Sequence, residues 1–380
     1  MPSQYHVKTV IVGAGIIGTS IAWHLSRAME TDILLLDRSE PGGLATNAAA
    51  GILGPLNETD QKGPFLDLLR ASLALYPDFV SSLIEETGLS PDFVKSGILS
   101  VASSEEEEAR LKERWQWQKP IDNSIEWLSG ESAREIEPHL GEAVRSAIRY
   151  PEESHVYAPR LLRALQGSIS QRKISWRRGE PVVSVRENGS SGVLVTTSRG
   201  EKIFAEKVIL TPGAFMGGIS LPPPIMPVTP VNGQILAVRT TQRPYRHIVF
   251  YPPKGYFVPK LDGTVVIGAS EDDYGFETKV TPKGMIDFLS PLKKVSPHLL
   301  EQPFHHAWSG LRPKTPDGLP IIGPHPSSPD IIIAAGHYRN GILLSPVTGA
   351  IVTSLLTGKP LPVPIEAFSP DRFKERNQNG

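Results

Sequence analysis

Two sets of residues in this chain have the types and spacing for chemistry. The first is Gly13, Gly15 and Gly18, at G-x-G-x-x-G spacing, with Asp37 at the end of the next apolar run. In such a triplet the first glycine permits a tight turn, the second lets backbone approach a pyrophosphate, and the third lets a helix pack closely on a strand. A helix opening at Ile16 and Ile17 offers unpaired N–H groups and a partial positive charge to phosphates. The Asp37 carboxylate can accept hydrogen bonds from both hydroxyls of an adenosine ribose. By itself the triplet also fits an ordinary glycine-rich turn, and it suits more than one dinucleotide.

The second set lies far downstream. Arg312 stands before Pro313, a position that restricts its backbone and fixes its stem. A guanidinium fork pairs with both oxygens of a carboxylate, which suits Arg312 to a carboxylate partner. The alternative is a structural ion pair with Asp317. Arg339 is a further cation, otherwise a surface salt bridge. Tyr256 is otherwise a half-buried strand aromatic, and His337 is either a base or a satisfied structural histidine. His305 and His306 are adjacent in a predicted strand and face opposite sides, so they make a poor metal pair, and no metal site is expected. The chain has no Cys, which excludes disulfides, thiolate nucleophiles, Cys-ligated zinc and iron–sulfur clusters.

The elements that must position these residues follow from the apolar pattern. Val10-Ile11-Val12 reads as a buried parallel strand, then Ile17, Ile21, Ala22 and Leu25 share one helix face, and Ile33–Leu36 forms a second strand. Small residues from Ala45 to Gly51 suit backbone lying flat against a ligand, or a flexible surface loop. Helices are predicted over 65–86, 105–117 and 129–136. A hairpin is predicted over 193–204, and a separate apolar strand over 206–211. Strands between 226 and 269 read as a mostly antiparallel sheet. A helix follows over 281–292, a strand over 305–311, and a last strand–helix pair over 331–335 and 346–356. The charged residues from Ser369 are expected to fray. Because the last strand–helix pair resembles the first in type, two domains are expected to be interleaved.

With 380 residues, 39% of them hydrophobic, the chain can bury a sizeable core. A net charge of -1 gives no electrostatic case for nucleic acid or an anionic membrane. No signal peptide is legible, and no apolar run approaches the roughly 20 residues that span a bilayer. A cytoplasmic protein without a transmembrane segment is expected, and a homo-oligomer is compatible with the composition.

The segments SGLRPKTPDGLPIIG (309–323) and AAGHYRNGILLSP (334–346), taken with the glycine triplet, resemble those of the FAD-dependent amine and amino-acid oxidases. That superfamily is typified by D-amino-acid oxidase and monomeric sarcosine oxidase, and the chain most resembles the glycine oxidases of thiamine biosynthesis. The resemblance implies an α/β fold: a Rossmann-like FAD-binding domain (1–88, 155–220 and 305–380) interleaved with an α+β substrate domain on an antiparallel sheet (89–154 and 221–304). It places Gly13, Gly15, Ile16, Ile17, Gly18, Asp37 and Arg38 around the adenosine and pyrophosphate. It places Ala45, Thr46, Ala49, Ala50 and Gly51 along the flavin. Val183 and the Thr211-Pro212-Gly213-Ala214 turn come near the cofactor again. Gly310, His337, Arg339, Asn340, Gly341, Ile342 and Leu343 surround the flavin edge. By the same resemblance Arg312 clamps a substrate carboxylate, assisted by Tyr256 and Arg339.

The implied reaction is oxidation of glycine, sarcosine or a D-amino acid to an imine and oxo acid, with hydride transfer to flavin N5 and O2 reduced to H2O2. Without cysteine, the flavin tether of monomeric sarcosine oxidase is impossible, so FAD should be noncovalent. Lys254 and Glu271 stand where less charge is expected, which suits a larger or charged amine. Rival readings are a dehydrogenase of the same fold serving a quinone or protein acceptor, and a noncatalytic flavin-binding module.

Overall fold

A computed structural model describes residues 5–29, 32–39, 44–189, 192–241 and 244–374. Strand Tyr5–Val12 lies inside an eight-stranded sheet. Its Val10, Ile11 and Val12 are buried on both faces, as a strand covered on both sides requires. It pairs in parallel with Ile33–Leu36 on one side and Lys202–Leu210 on the other. Ile174–Arg177 extends one flank. Ser328–Ala335 and then antiparallel Ile321–His325 extend the other. Sequence reading divides 202–211 between a hairpin arm and a separate strand. Instead one strand, Lys202–Leu210, does both: its first half carries the hairpin strands Val193–Thr197 and Val182–Glu187, and its second half carries Ser328–Ala335.

Helices Ile16–Ala28, Pro64–Thr87, Ala158–Ser170 and Gly341–Thr357 share one apolar core with the Ile11, Ile33 and Ile209 face of this sheet. The last helix begins at Gly341, earlier than the predicted Pro346, which lies inside it. Proline removes the N–H that would bond the Ile342 carbonyl. The hydroxyls of Tyr76 and Ser345 donate to that carbonyl instead, at 2.5 and 2.9 Å, and Ser72 donates to the Leu343 carbonyl at 2.6 Å. The window Tyr338–Thr357 is long and apolar enough to cross a membrane by length and composition alone, which sequence reading did not register. Here 67% of its apolar 18-residue stretch is buried, and its neighbours are Ile16–Ala28 and Pro64–Thr87.

A second eight-stranded sheet runs Phe304–Lys314, Thr229–Arg239, Thr264–Gly268, Gly255–Pro259, Ile248–Tyr251, Ile98–Ala102, Ser146–Tyr150, Glu126–Ser129. It is antiparallel except between Ile248–Tyr251 and Ile98–Ala102. Helix Pro282–Val295 shares one apolar cluster with it. A second cluster joins the sheet to Ala50, Leu56 and Leu66 from the first part of the chain. Sequence reading assigns residues from 305 onward to the nucleotide-binding part. Strand Phe304–Lys314 instead forms the edge of the second sheet, because the long buried strand Thr229–Arg239 needs a hydrogen-bonding neighbour on its open side. The expected fraying tail also differs. Pro370–Phe373 forms a turn with Phe373 buried, and Arg372 binds Asp317 at 2.8 Å; residues 375–380 lie outside the described ones.

Candidate active site

A cavity of about 700 Å3 opens at the C-terminal ends of the parallel strands, where Val12, Leu36 and Ala335 stop, and reaches the second sheet at Ile235, Tyr256 and Leu311. Ligands of open α/β sheets bind at such strand ends. Gly13 has φ +106°, and a Cβ there would lie 2.3 Å from the Thr211 carbonyl oxygen. A Cβ on Gly18 would lie 1.8 Å from the Gly13 carbonyl oxygen. These two glycines therefore fold the turn onto Thr211 and the helix onto the turn. Gly15, Ile16 and Ile17 line the cavity, whereas Gly18 packs behind it. The helix start at Gly15 has no side-chain cap, and the Ile16 N–H reaches Thr46 Oγ1 at 3.2 Å.

Asp37 is buried at the same end. Its Oδ2 accepts the Ala14 N–H at 2.6 Å, and its Oδ1 accepts the Ser39 N–H and hydroxyl at 2.8 and 2.9 Å. A carboxylate has about four acceptor sites, which leaves room for about one more donor. The Arg38 guanidinium lies 3.8 Å over the Phe215 ring, and Phe215 stacks on Phe276 at 5.2 Å. Val183, Gly213 and Ala214 line this region too.

The small-residue stretch is pinned in place. Ala45 and Thr46 sit in the helical turn Leu44–Asn47, and Ala48, Ala49, Ala50 and Gly51 line the cavity. Gly51 has φ +80°, and a Cβ there would lie 2.1 Å from the Val156 carbonyl oxygen. Buried Lys260 crosses from the second sheet and donates to the carbonyls of Ala50 at 2.6 Å and Val156 at 3.0 Å. Burial pulls its pKa down to about 7.

Arg312, Tyr256, Gly310, His337, Arg339, Asn340, Gly341 and Ile342 line the cavity; Leu343 instead packs in the helical core. Arg312 lies against Gly233, where a Cβ would be 2.2 Å from the guanidinium carbon, and its Nη1 donates to the Ser270 carbonyl at 2.9 Å. Asp317 is taken by Arg372, which removes the structural alternative for Arg312. No carboxylate pairs with Arg312 among the described residues. Burial raises the Tyr256 pKa although Arg312 beside it works the other way, so its hydroxyl stays protonated as a donor. Arg339 pairs with Glu58 at 2.9 Å and Glu271 at 3.6 Å. His337 is buried, its Nε2 is 3.1 Å from the Thr348 hydroxyl, and burial lowers its pKa to about 3. Burial thus keeps the ring neutral, and its Nε2 has a structural partner.

Sequence reasoning misses Gly233, Glu58 and Lys260 as site residues, whereas Tyr338, expected to flank the site beside His337, does line the cavity. Gly233 carried a legible signal, since a glycine inside an apolar strand often marks close approach of another group. Glu58 and Lys260 carry none, because their partners come from distant parts of the chain.

The cavity suits FAD on its own features: a glycine turn that a side chain would fill, two helix starts without side-chain caps at Gly15 and Asn340, and a wall of small residues. A family model for FAD dependent oxidoreductases matches residues 8–355. The glycine oxidase of Geobacillus kaustophilus (strain HTA426) is 33% identical over 376 residues, covering 97% of this chain and 97% of that protein. The bifunctional protein ThiO/ThiG of Synechocystis sp. is 32% identical over 374 residues, covering 96% of this chain and 54% of that protein. The crystal structure of the glycine oxidase from Geobacillus kaustophilus matches with a TM-score of 0.91 at 32% identity, over 96% of this chain and 98% of that one. The glycine cradle, a cavity arginine with no carboxylate partner among the described residues and a match over most of the chain agree: this chain belongs to the FAD-dependent oxidoreductase family and is an enzyme of the glycine oxidase-like kind.

Proposed function

We propose that the protein oxidises the C–N bond of a small amino acid or secondary amine, such as glycine, sarcosine or a D-amino acid, with noncovalent FAD, reducing O2 to H2O2. The observation that carries this reading is Arg312: a guanidinium on the cavity wall, seated on Gly233, with no carboxylate of its own among the described residues. When bound, FAD supplies the two-electron acceptor. Arg312 takes the substrate carboxylate through its fork, while the Ser270 carbonyl holds the far side of the guanidinium. Tyr256 donates its hydroxyl to the same carboxylate. Two anchors on one carboxylate fix where the amine carbon lies, and orientation is the protein's main contribution. His337 takes no proton, being buried and bound to Thr348. The imine product then adds water and releases an oxo acid and ammonia or an amine.

Anaerobic mixing of the holoenzyme with glycine, sarcosine, D-alanine and D-proline tests the reading. At least one of them bleaches the flavin band, and admitting air restores it with formation of peroxide. If none bleaches it, the assignment fails; turnover with a dye but without peroxide assigns a dehydrogenase instead.

A further inference from the structure

The two cavity arginines are not equally available. Arg312 has no carboxylate partner among the described residues, whereas Arg339 has Glu58 at 2.9 Å and Glu271 at 3.6 Å. Glu271 also accepts from Lys254 Nζ at 2.5 Å and from the Tyr338 hydroxyl at 2.9 Å. Burial would raise the Glu271 pKa, but these contacts outweigh it and hold the carboxyl below its ordinary range, so it is ionised. Glu58, Lys254, Glu271, Arg312 and Arg339 all line the one cavity. Lys254 and Arg339 balance Glu58 and Glu271, and Arg312 is left as the one unbalanced charge of this cluster.

We propose that Glu58 and Glu271 determine substrate charge: by neutralising Arg339 they limit the site to amines with one carboxylate and reject those with two. The inference rests on the function proposed above and names the substrate class within it. One carboxylate satisfies Arg312. A second would meet the two glutamates and could reach Arg339 only by displacing them. Discrimination of this kind comes from repulsion of the wrong ligand as much as from attraction of the right one. Neutral or cationic side chains meet no such barrier.

The test uses the FAD-loaded wild type, Glu58→Gln, Glu271→Gln and the double variant. Acetate and malonate are titrated by calorimetry and by the flavin absorbance shift. In parallel, kcat/KM is measured for sarcosine and for iminodiacetate, which is sarcosine's framework with a second carboxylate. The wild type favours the monocarboxylate of each pair by at least about tenfold, and each glutamine moves the ratio toward the dicarboxylate by about tenfold. Adding Arg339→Gln to the double variant cancels that gain. The proposal is overturned if wild type binds malonate as well as acetate or binds neither, or if the ratios do not move in variants that keep FAD. Should Glu58→Gln lose FAD, Glu271→Gln alone decides. The two readings fail separately. If no amine bleaches the flavin, the oxidase function falls while the acetate and malonate ratio still tests charge selection. If amines turn over with unmoved ratios, only charge selection falls.

Discussion

In the proposed site, Arg312 is placed by what is missing beside it. Its guanidinium occupies the space that a side chain at Gly233 would fill, two strands pair there, and the Ser270 carbonyl holds one end of the fork. Two substitutions separate charge from placement. Arg312→Lys keeps the charge and loses the planar fork, which a compact ammonium cannot replace. A hydrogen bond to a charged group is worth roughly 1.5–3 kcal/mol, so KM for the amino acid should rise roughly ten- to hundredfold with FAD content unchanged. Gly233→Ala keeps every charge and moves the guanidinium, and it should raise KM to a similar degree. A Gly233→Ala enzyme with wild-type KM would show that the seat does not matter. Arg312 was legible in the sequence because its neighbours Gly310 and Pro313 form a local motif. Its seat was less so, because Gly233 meets it only through the pairing of Thr229–Arg239 with Phe304–Lys314.

At the level of elements, local rules were right wherever consecutive residues decide the geometry. The opening strand, turn and helix form as the glycine spacing predicts, since positive φ at Gly13 and close packing at Gly18 are settled within one unit. The last helix shows the limit. A proline favours the first turn of a helix, so Pro346 reads as a start. The true start at Gly341 depends on hydroxyls from Ser72 and Tyr76, which lie far off in sequence. Tyr76→Phe should therefore cost about 1 kcal/mol in urea unfolding of the holoenzyme, because the Ser345 hydroxyl still serves the Ile342 carbonyl. Lys260 does the same kind of work for the small-residue stretch. Lys260→Met leaves the buried carbonyls of Ala50 and Val156 without that donor. Freed from its tether, the stretch should bind FAD about tenfold more weakly in an ultrafiltration assay, roughly the loss of one buried hydrogen bond. Unchanged FAD affinity would show that the tether is not part of the cradle.

Across the whole molecule, the two sheets meet where ionisable groups are buried, and this makes stability depend on pH. Glu153 follows strand Ser146–Tyr150 of the second sheet and adjoins Ser154–His155, which pairs with Ile52–Leu53 beside the cavity. Its Oε1 accepts the N–H groups of Leu56 at 2.6 Å and Asn57 at 3.3 Å, while Oε2 is buried with no hydrogen-bond partner among the described residues. Burial outweighs those bonds and pushes its pKa up from 4.5 to about 8. Between these two values the folded protein binds a proton that the unfolded chain has released, so this stabilisation is full below pH 4.5 and is lost as pH rises through about 8. Glu153→Gln keeps an acceptor for both N–H groups and has no charge to bury. Relative to wild type, the variant should gain stability steadily from pH 5.5 to pH 8.5 in urea unfolding of the holoenzyme. Lys260 works with the opposite sign. Its pKa falls from 10.5 to about 7, so its contribution is lost as pH drops through 7 and grows again toward 10.5. The slope of either protein alone mixes the two groups, but Lys260 is common to both and cancels in the difference. A wild type to Glu153→Gln difference that stays flat across that range would mean Glu153 is ionised in the folded state, with water or a counter-charge reaching Oε2.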